Sequence, residues 1–175
     1  GYDPAESGDS AGMVVVAPSP VPGGKFRVLE RIQFRGMDFK AQAEMIRQTT
    51  LRYYVTYIGV DITGMGTGVS QLVKQFFPNV TEFSYSPEVK TRLVLKTMDV
   101  IRHGRLEYDA GWTDLSQSLM SIKKTLTASQ RQMTFTAGRS EETGHADLAW
   151  ALMHAIHNEP LEGQTQMNQS FLEIY

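Results

Sequence analysis

The spacing of hydrophobic and polar positions changes character along the chain. Met13 to Ala17, MVVVA, is an unbroken apolar run that suits a buried strand. Pro18, Pro20, Pro22, Gly23 and Gly24 follow it as a loop. Lys25 to Arg35 then alternates, with Phe26, Val28, Ile32 and Phe34 on one face and Arg27, Leu29, Arg31, Gln33 and Arg35 on the other. That is the period-two signature of a strand covered on one side. Upstream, Asp3 ends a short first strand, because Pro4 can donate no ladder hydrogen bond, and Ser7, Gly8 and Asp9 supply a turn. The opening third therefore predicts an antiparallel meander.

After Gly36 the period becomes helical. Asp38 caps a helix in which Phe39, Ala43 and Ile46 recur on one face. The stretch Tyr53 to Gly68, YYVTYIGVDITGMGTG, predicts a buried strand through Val55, Tyr57, Ile58 and Val60 that delivers Asp61 to a sheet end, followed by a glycine-rich turn. A helix is expected over Gly66 to Phe77, stopped by Pro78, then a strand over Val80 to Tyr85 and a helix from Pro87 to His103 ended by Gly104. Leu115, Leu119, Ile122 and Leu126 place another helix over Thr113 to Leu126, followed by a strand over Arg131 to Thr136. The last helix runs from His145 to His157. This order predicts an α/β fold, a mixed β-sheet flanked by helices on both faces. One domain over 1–158 is expected, with 159–175 a polar, flexible tail.

Composition narrows the chemistry. With 175 residues and 41% hydrophobic content, one domain with a substantial core is favoured over two. There is no cysteine, so disulfides and thiolate-bound metals are excluded and any metal must rest on Asp, Glu and His. No apolar run approaches the roughly 20 residues of a membrane-spanning helix, and no signal peptide opens the chain, so neither a membrane partner nor secretion is expected. The start Gly1-Tyr2-Asp3-Pro4 reads as a domain excised from a longer polypeptide. A formal net charge of -2 gives no global attraction to nucleic acid, leaving that to local basic surfaces.

Three aspartates fall where strands or helices open into loops: Asp3, Asp61, and Asp147 at the start of the final helix. Alone, each has a plainer role, in a turn or against a helix dipole. Converging, they would repel one another by several kcal/mol unless cations neutralised them. Hard oxygen ligands without thiolate select Mg²⁺ or Mn²⁺, and two such ions about 4 Å apart can serve both oxygens of a phosphodiester displacement. Asp9, Glu142 and His145 are possible auxiliary ligands, beside Glu141, whereas His154 and His157 are read as structural or exposed. Gly64, Gly66 and Gly68 do not match a dinucleotide fingerprint or phosphate loop, and are expected to let DNA or water approach closely. Basic candidates for phosphate contact are Lys25, Arg27, Arg31 and Arg35, then Lys90, Arg92 and Lys96, then Lys123, Lys124, Arg131 and Arg139, with the Tyr85-to-Lys90 loop foremost.

The segments GYDPAESGDS, YIGVDITGMGTG and SEETGHADLAWALMHAI, in that order, resemble the C-terminal nuclease domain of the large terminase subunit of tailed bacteriophages. The likeness extends from Gly1 to about Pro160 and looks nearest to temperate phages with contractile tails. It implies an RNase H-like fold, of the resolvase and integrase type, and a metal-dependent endonuclease that cuts concatemeric double-stranded DNA with two Mg²⁺ or Mn²⁺ ions. Position by position, it makes Asp3, Asp61 and Asp147 the catalytic metal ligands. Lesser alternatives are a Holliday-junction-resolvase-like nuclease and a non-catalytic DNA clamp or portal-docking module. In the family an N-terminal ATPase motor precedes this domain, and the small terminase subunit and portal are its partners in the host cytoplasm. Without the motor's motifs, cutting rather than translocation is expected of this chain.

Overall fold

Two residues, Tyr2 and Asp3, form a strand (β1) near the middle of the main sheet. The computed structural model describes residues 1–5, 10–21, 23–127, 132–138 and 146–158. The next strands are β2 (Ser10–Ala17) and β3 (Phe26–Arg35), followed by helix α1 (Phe39–Arg52), strand β4 (Gly59–Asp61) and helix α2 (Gly66–Lys74). Strand β5 (Thr81–Phe83), helix α3 (Pro87–Arg102), strand β6 (Leu106–Glu107) and helix α4 (Thr113–Met120) lead to strands β7 (Ile122–Leu126) and β8 (Met133–Ala137) and helix α5 (Asp147–Ile156). Among the described residues the main sheet runs β5-β4-β1-β2-β3-β6, and β7 and β8 form a separate antiparallel ribbon. The predicted meander β1-β2-β3 is antiparallel, while β1, β4 and β5 are parallel, as chains returned by helices must be.

Both faces are covered. On one, α1 and α2 bring Ala43, Ile46, Val69 and Val73 against Tyr2, Met13 and Val60. On the other, α5 brings Leu148, Leu152 and Ile156 against Val14, Phe26 and Val28, while α3 packs Leu93 and Val94 with Trp150 and Met153. Nearly every residue of α5 is buried, so this short helix is the central post of that layer. Asp38 caps α1 by accepting from the amide of Ala41 at 2.8 Å, and Gly104 takes the left-handed φ of +64° that closes α3. No helix among the described residues is long and apolar enough to cross a membrane.

Several expected boundaries differ. The alternation of β3 does not keep one face: Phe26 and Val28 pack beneath α5, but Ile32 and Phe34 pack on the α1 side. The ladder explains the switch, since Val15 pairs with Glu30 but Val16 with Val28, leaving Leu29 as an inserted residue that reverses the pleat. The helix expected over Thr113 to Leu126 stops at Met120, and Ile122 and Leu126 belong to β7. An i, i+3, i+4 apolar spacing suits a helix, but pairing with β8 wins for Ile122 onward. The strand before Asp61 is shorter than its β-branched run suggested, α2 ends at Lys74 rather than Phe77, and β6 carried no signal strong enough to predict.

Candidate active site

Side chains alternate across a strand, and this places the first two acids. Tyr2 and Val60 pair in the parallel ladder and turn into the α1 side, so Asp3 and Asp61, one residue further on, stand side by side facing α5. The third acid comes from α5. Ala146 adopts the left-handed region at φ 65°, costing roughly 1–2 kcal/mol for a residue with a Cβ, and directs the chain into the helix that begins with Asp147. That helix end lies on Gly12, the ladder partner of Asp3; a Cβ there would stand 2.6 Å from the Asp147 carbonyl. Glycine at this position is what lets Asp147 reach the strand that carries Asp3.

The three acids line one cavity of about 510 Å³, together with Lys90, Tyr85 and Trp150. Burial, then the charges of Asp61 and Asp147, push the Asp3 carboxyl well above the usual carboxylate range, and Lys90 opposes them. Asp61, 8% exposed, is raised by burial and opposed by Thr63, whose hydroxyl and amide donate to Oδ1 at 2.6 and 2.8 Å. The same hydroxyl accepts from the Tyr85 amide at 2.9 Å, joining the Asp61 turn to the loop before α3. Oδ2 of Asp147 accepts from the Ser10 hydroxyl and, at 3.1 Å, from Gln33 Nε2. Gln33 reaches it because the Leu29 bulge rotates the end of β3 toward α5.

No three acid or histidine side chains among the described residues stand close enough to form a closed metal cluster. The carboxylates are nonetheless near enough for their charges to act on one another, and two are held by neutral donors. An all-oxygen donor set with one carboxyl strongly disfavoured as an anion fits a hard divalent cation, which takes oxygen ligands and retains water.

The other predicted residues divide. Asp9, Arg131, Arg139, Glu141, Glu142 and His145 lie outside the described residues. Lys90 lines the cavity. Arg31 pairs with Asp114 at 2.7 Å and stacks on Trp112, and Lys25 and Arg27 pair with Glu107. Lys123 and Lys124 are exposed on β7, whose partner β8 contributes Thr136 and Ala137 to the cavity wall. Lys96 is buried and donates to the His157 carbonyl at 2.6 Å, so it is withdrawn from any phosphate-binding surface. The clearance at the glycines is used by the protein itself: a Cβ on Gly66 would overlap the Asp61 carbonyl, and one on Gly68 the Phe39 ring. His154 is structural, as expected, fully buried between Tyr85 and the Tyr2 carbonyl. Sequence reasoning missed Gly12, Ser10, Gln33 and Thr63. Only Thr63 had a local signal, lying two residues beyond an aspartate that can close a side-chain turn.

The model of the family described as the terminase RNaseH-like domain matches residues 1–159. The chain is 56% identical over 177 residues to the terminase, ATPase subunit, of Escherichia phage P2, covering 100% of this chain and 30% of that protein. It is 44% identical over 162 residues to the probable terminase, ATPase subunit, of Haemophilus phage HP1, covering 92% and 27%. It thus spans less than a third of the length of these relatives. The large terminase nuclease from thermophilic phage G20c with bound magnesium has a similar fold, with a TM-score of 0.70 at 17% identity over 90% of this chain and 79% of that one.

Proposed function

Since the chain belongs to the terminase RNaseH-like family and has its α/β fold, we propose that it is a divalent-metal-dependent endonuclease that hydrolyses phosphodiester bonds of double-stranded phage DNA during packaging. The observation that carries this reading is the meeting of Asp3, Asp61 and Asp147 in one cavity, where Asp3 feels both other charges. Structural acids would be spread apart or paired with bases. Here two adjacent strands and a helix terminus deliver three of them to one wall.

Asp3, Asp61 and Asp147 would hold two Mg²⁺ or Mn²⁺ ions, a choice consistent with the magnesium of the G20c nuclease. When bound, the ions supply Lewis acidity toward attacking water and the departing 3′ oxygen. The chain's own residues do the positioning. Thr63 fixes the Asp61 carboxylate, and Ser10 and Gln33 fix that of Asp147, so neither has to be ordered when the site is loaded. Trp150 and Tyr85 line the cavity beside the acids. Arg31, Lys90, Lys124 and Arg139 contact phosphates without reading bases, which makes binding steeply salt-dependent. In the intact subunit the domain works beside an ATPase motor, the small subunit and the portal in the host cytoplasm.

The test is plasmid nicking and linear-duplex cleavage in Mn²⁺, with Asp61→Asn and Asp147→Asn beside the wild type and circular dichroism to check folding. Metal-dependent cleavage lost at least a hundredfold in both folded variants is expected. Wild-type activity in either would overturn the assignment, and a strong preference for a four-way junction over duplex would move the substrate to branched DNA.

A further inference from the structure

The acids share their cavity with one ammonium whose place is built rather than incidental. Lys90 projects from the first turn of α3 over two aromatic rings, its Nζ 5.1 Å from the Tyr85 ring centroid and 5.6 Å from that of Trp150. Those rings hold each other, with centroids 5.1 Å apart. Tyr85 is fixed in turn at its hydroxyl, 2.9 Å from His154 Nε2, and His154 Nδ1 lies 3.1 Å from the Tyr2 carbonyl. A carbonyl only accepts, so Nδ1 carries the proton, Nε2 accepts, and the Tyr85 hydroxyl donates. This buried chain links the backbone just before Asp3 to the platform under Lys90. Ser86 caps α3 by accepting from the Val89 amide at 3.2 Å and so fixes the turn from which Lys90 departs.

A flexible surface lysine needs none of this support. Cation–π contact with two rings holds an ammonium without neutralising it, leaving its charge to act on its other neighbours. Those neighbours are Asp3 and Asp61, both of which its charge stabilises as anions.

We propose that Lys90 is a built-in counter-cation of the carboxylate site, holding the acids together before metal binds and yielding to the incoming divalent ions. This deepens the nuclease reading and rests on the acids being metal ligands. The consequence is an antagonism. Lys90 lowers the negative charge that attracts a divalent ion, so removing it tightens metal binding even as it loosens the empty site. A lysine whose part is only to grip DNA phosphate predicts neither effect in the absence of DNA.

The experiment uses the protein without DNA. Mn²⁺ binding is followed by isothermal titration calorimetry and melting by differential scanning calorimetry, in EDTA and in saturating Mn²⁺, for the wild type, Lys90→Met, Lys90→Arg and Asp61→Asn. Lys90→Met keeps the apolar stem and should bind Mn²⁺ about tenfold more tightly, as loss of one like charge at this range dictates. Lys90→Arg should stay within about twofold of the wild type, because it retains the cation on an aromatic platform. Lys90→Met should melt below the wild type in EDTA and recover at least the whole deficit in Mn²⁺. Unchanged or weaker Mn²⁺ binding by Lys90→Met, or the same melting deficit with and without metal, overturns the proposal while leaving the metal site intact. Wild-type Mn²⁺ binding that is absent, or indifferent to Asp61→Asn, overturns the metal-site reading and this inference with it.

Discussion

His154 shows how one buried side chain can set both geometry and acid sensitivity. Its ring stacks on Phe83 with centroids 4.6 Å apart, donates to the Tyr2 carbonyl and accepts from Tyr85. Accepting from Tyr85 requires the neutral imidazole. Burial lowers its pKa to about 3, from an ordinary value near 6.5. Between those values the unfolded chain takes up a proton that the folded protein refuses. The stabilisation is therefore complete above about pH 6.5 and is lost as pH falls toward 3, at up to about 1.4 kcal/mol per pH unit. Urea unfolding at pH 7, 6 and 5 should show a steeper loss for the wild type than for His154→Gln, whose amide cannot titrate. Parallel pH profiles for the two would mean that His154 is charged in the fold. The other titrating groups are common to both proteins, so the difference isolates the imidazole.

At the level of elements, the site depends on close approach between β2 and the start of α5. Gly12→Ala would place a Cβ 2.6 Å from the Asp147 carbonyl carbon and 2.9 Å from the Leu148 amide nitrogen, both backbone atoms that cannot rotate aside. The helix must lift, at a cost of about 1–3 kcal/mol, as in other overpacked sites. Lower thermal stability and lower cleavage should appear together. Gly138→Ala, where a Cβ meets nothing among the described residues within 4 Å, should change stability by no more than about 0.5 kcal/mol. Equal melting temperatures for the two variants would remove Gly12 from the account. The sequence announced the three acids because strand ends and helix starts are local patterns, read from Pro4, the run before Asp61, and the apolar face after Asp147. It did not announce the partners of those acids. Gln33 meets Asp147 only because of the Leu29 bulge, and an extra residue in one strand is visible only in the register with its neighbour; Ser10 comes from a different strand, 137 residues away in the chain. The same limit hid β7: Ile122 and Leu126 fit a helix by spacing, and pairing with β8 makes them a strand.

Across the whole molecule, packing works against charge. Hydrophobic layers on both sheet faces close on a mouth where like charges meet, and Asp3 bears most of that conflict because burial and both other acids oppose its ionisation. A fold selected for stability alone would not keep it charged. Asp3→Asn is close in shape and takes out the carboxyl whose anion burial and both neighbouring acids oppose, so in EDTA, at a pH high enough to ionise Asp3, the variant should melt higher than the wild type. A relief of about 1 kcal/mol corresponds to roughly 2–4 °C for a domain of this size. Mn²⁺ should reverse the order. Ligand at about a hundred times its dissociation constant stabilises the native state by about 2.7 kcal/mol, and the variant, having lost a ligand, should gain far less. The two melting temperatures should thus cross as Mn²⁺ is titrated in. A crossing requires that the same carboxylate both destabilise the empty fold and bind metal, which neither a structural turn residue nor a passive remnant would do. If Asp3→Asn melts lower than the wild type without metal, Asp3 stabilises the strand it ends, and the conflict between stability and function lies elsewhere in the site.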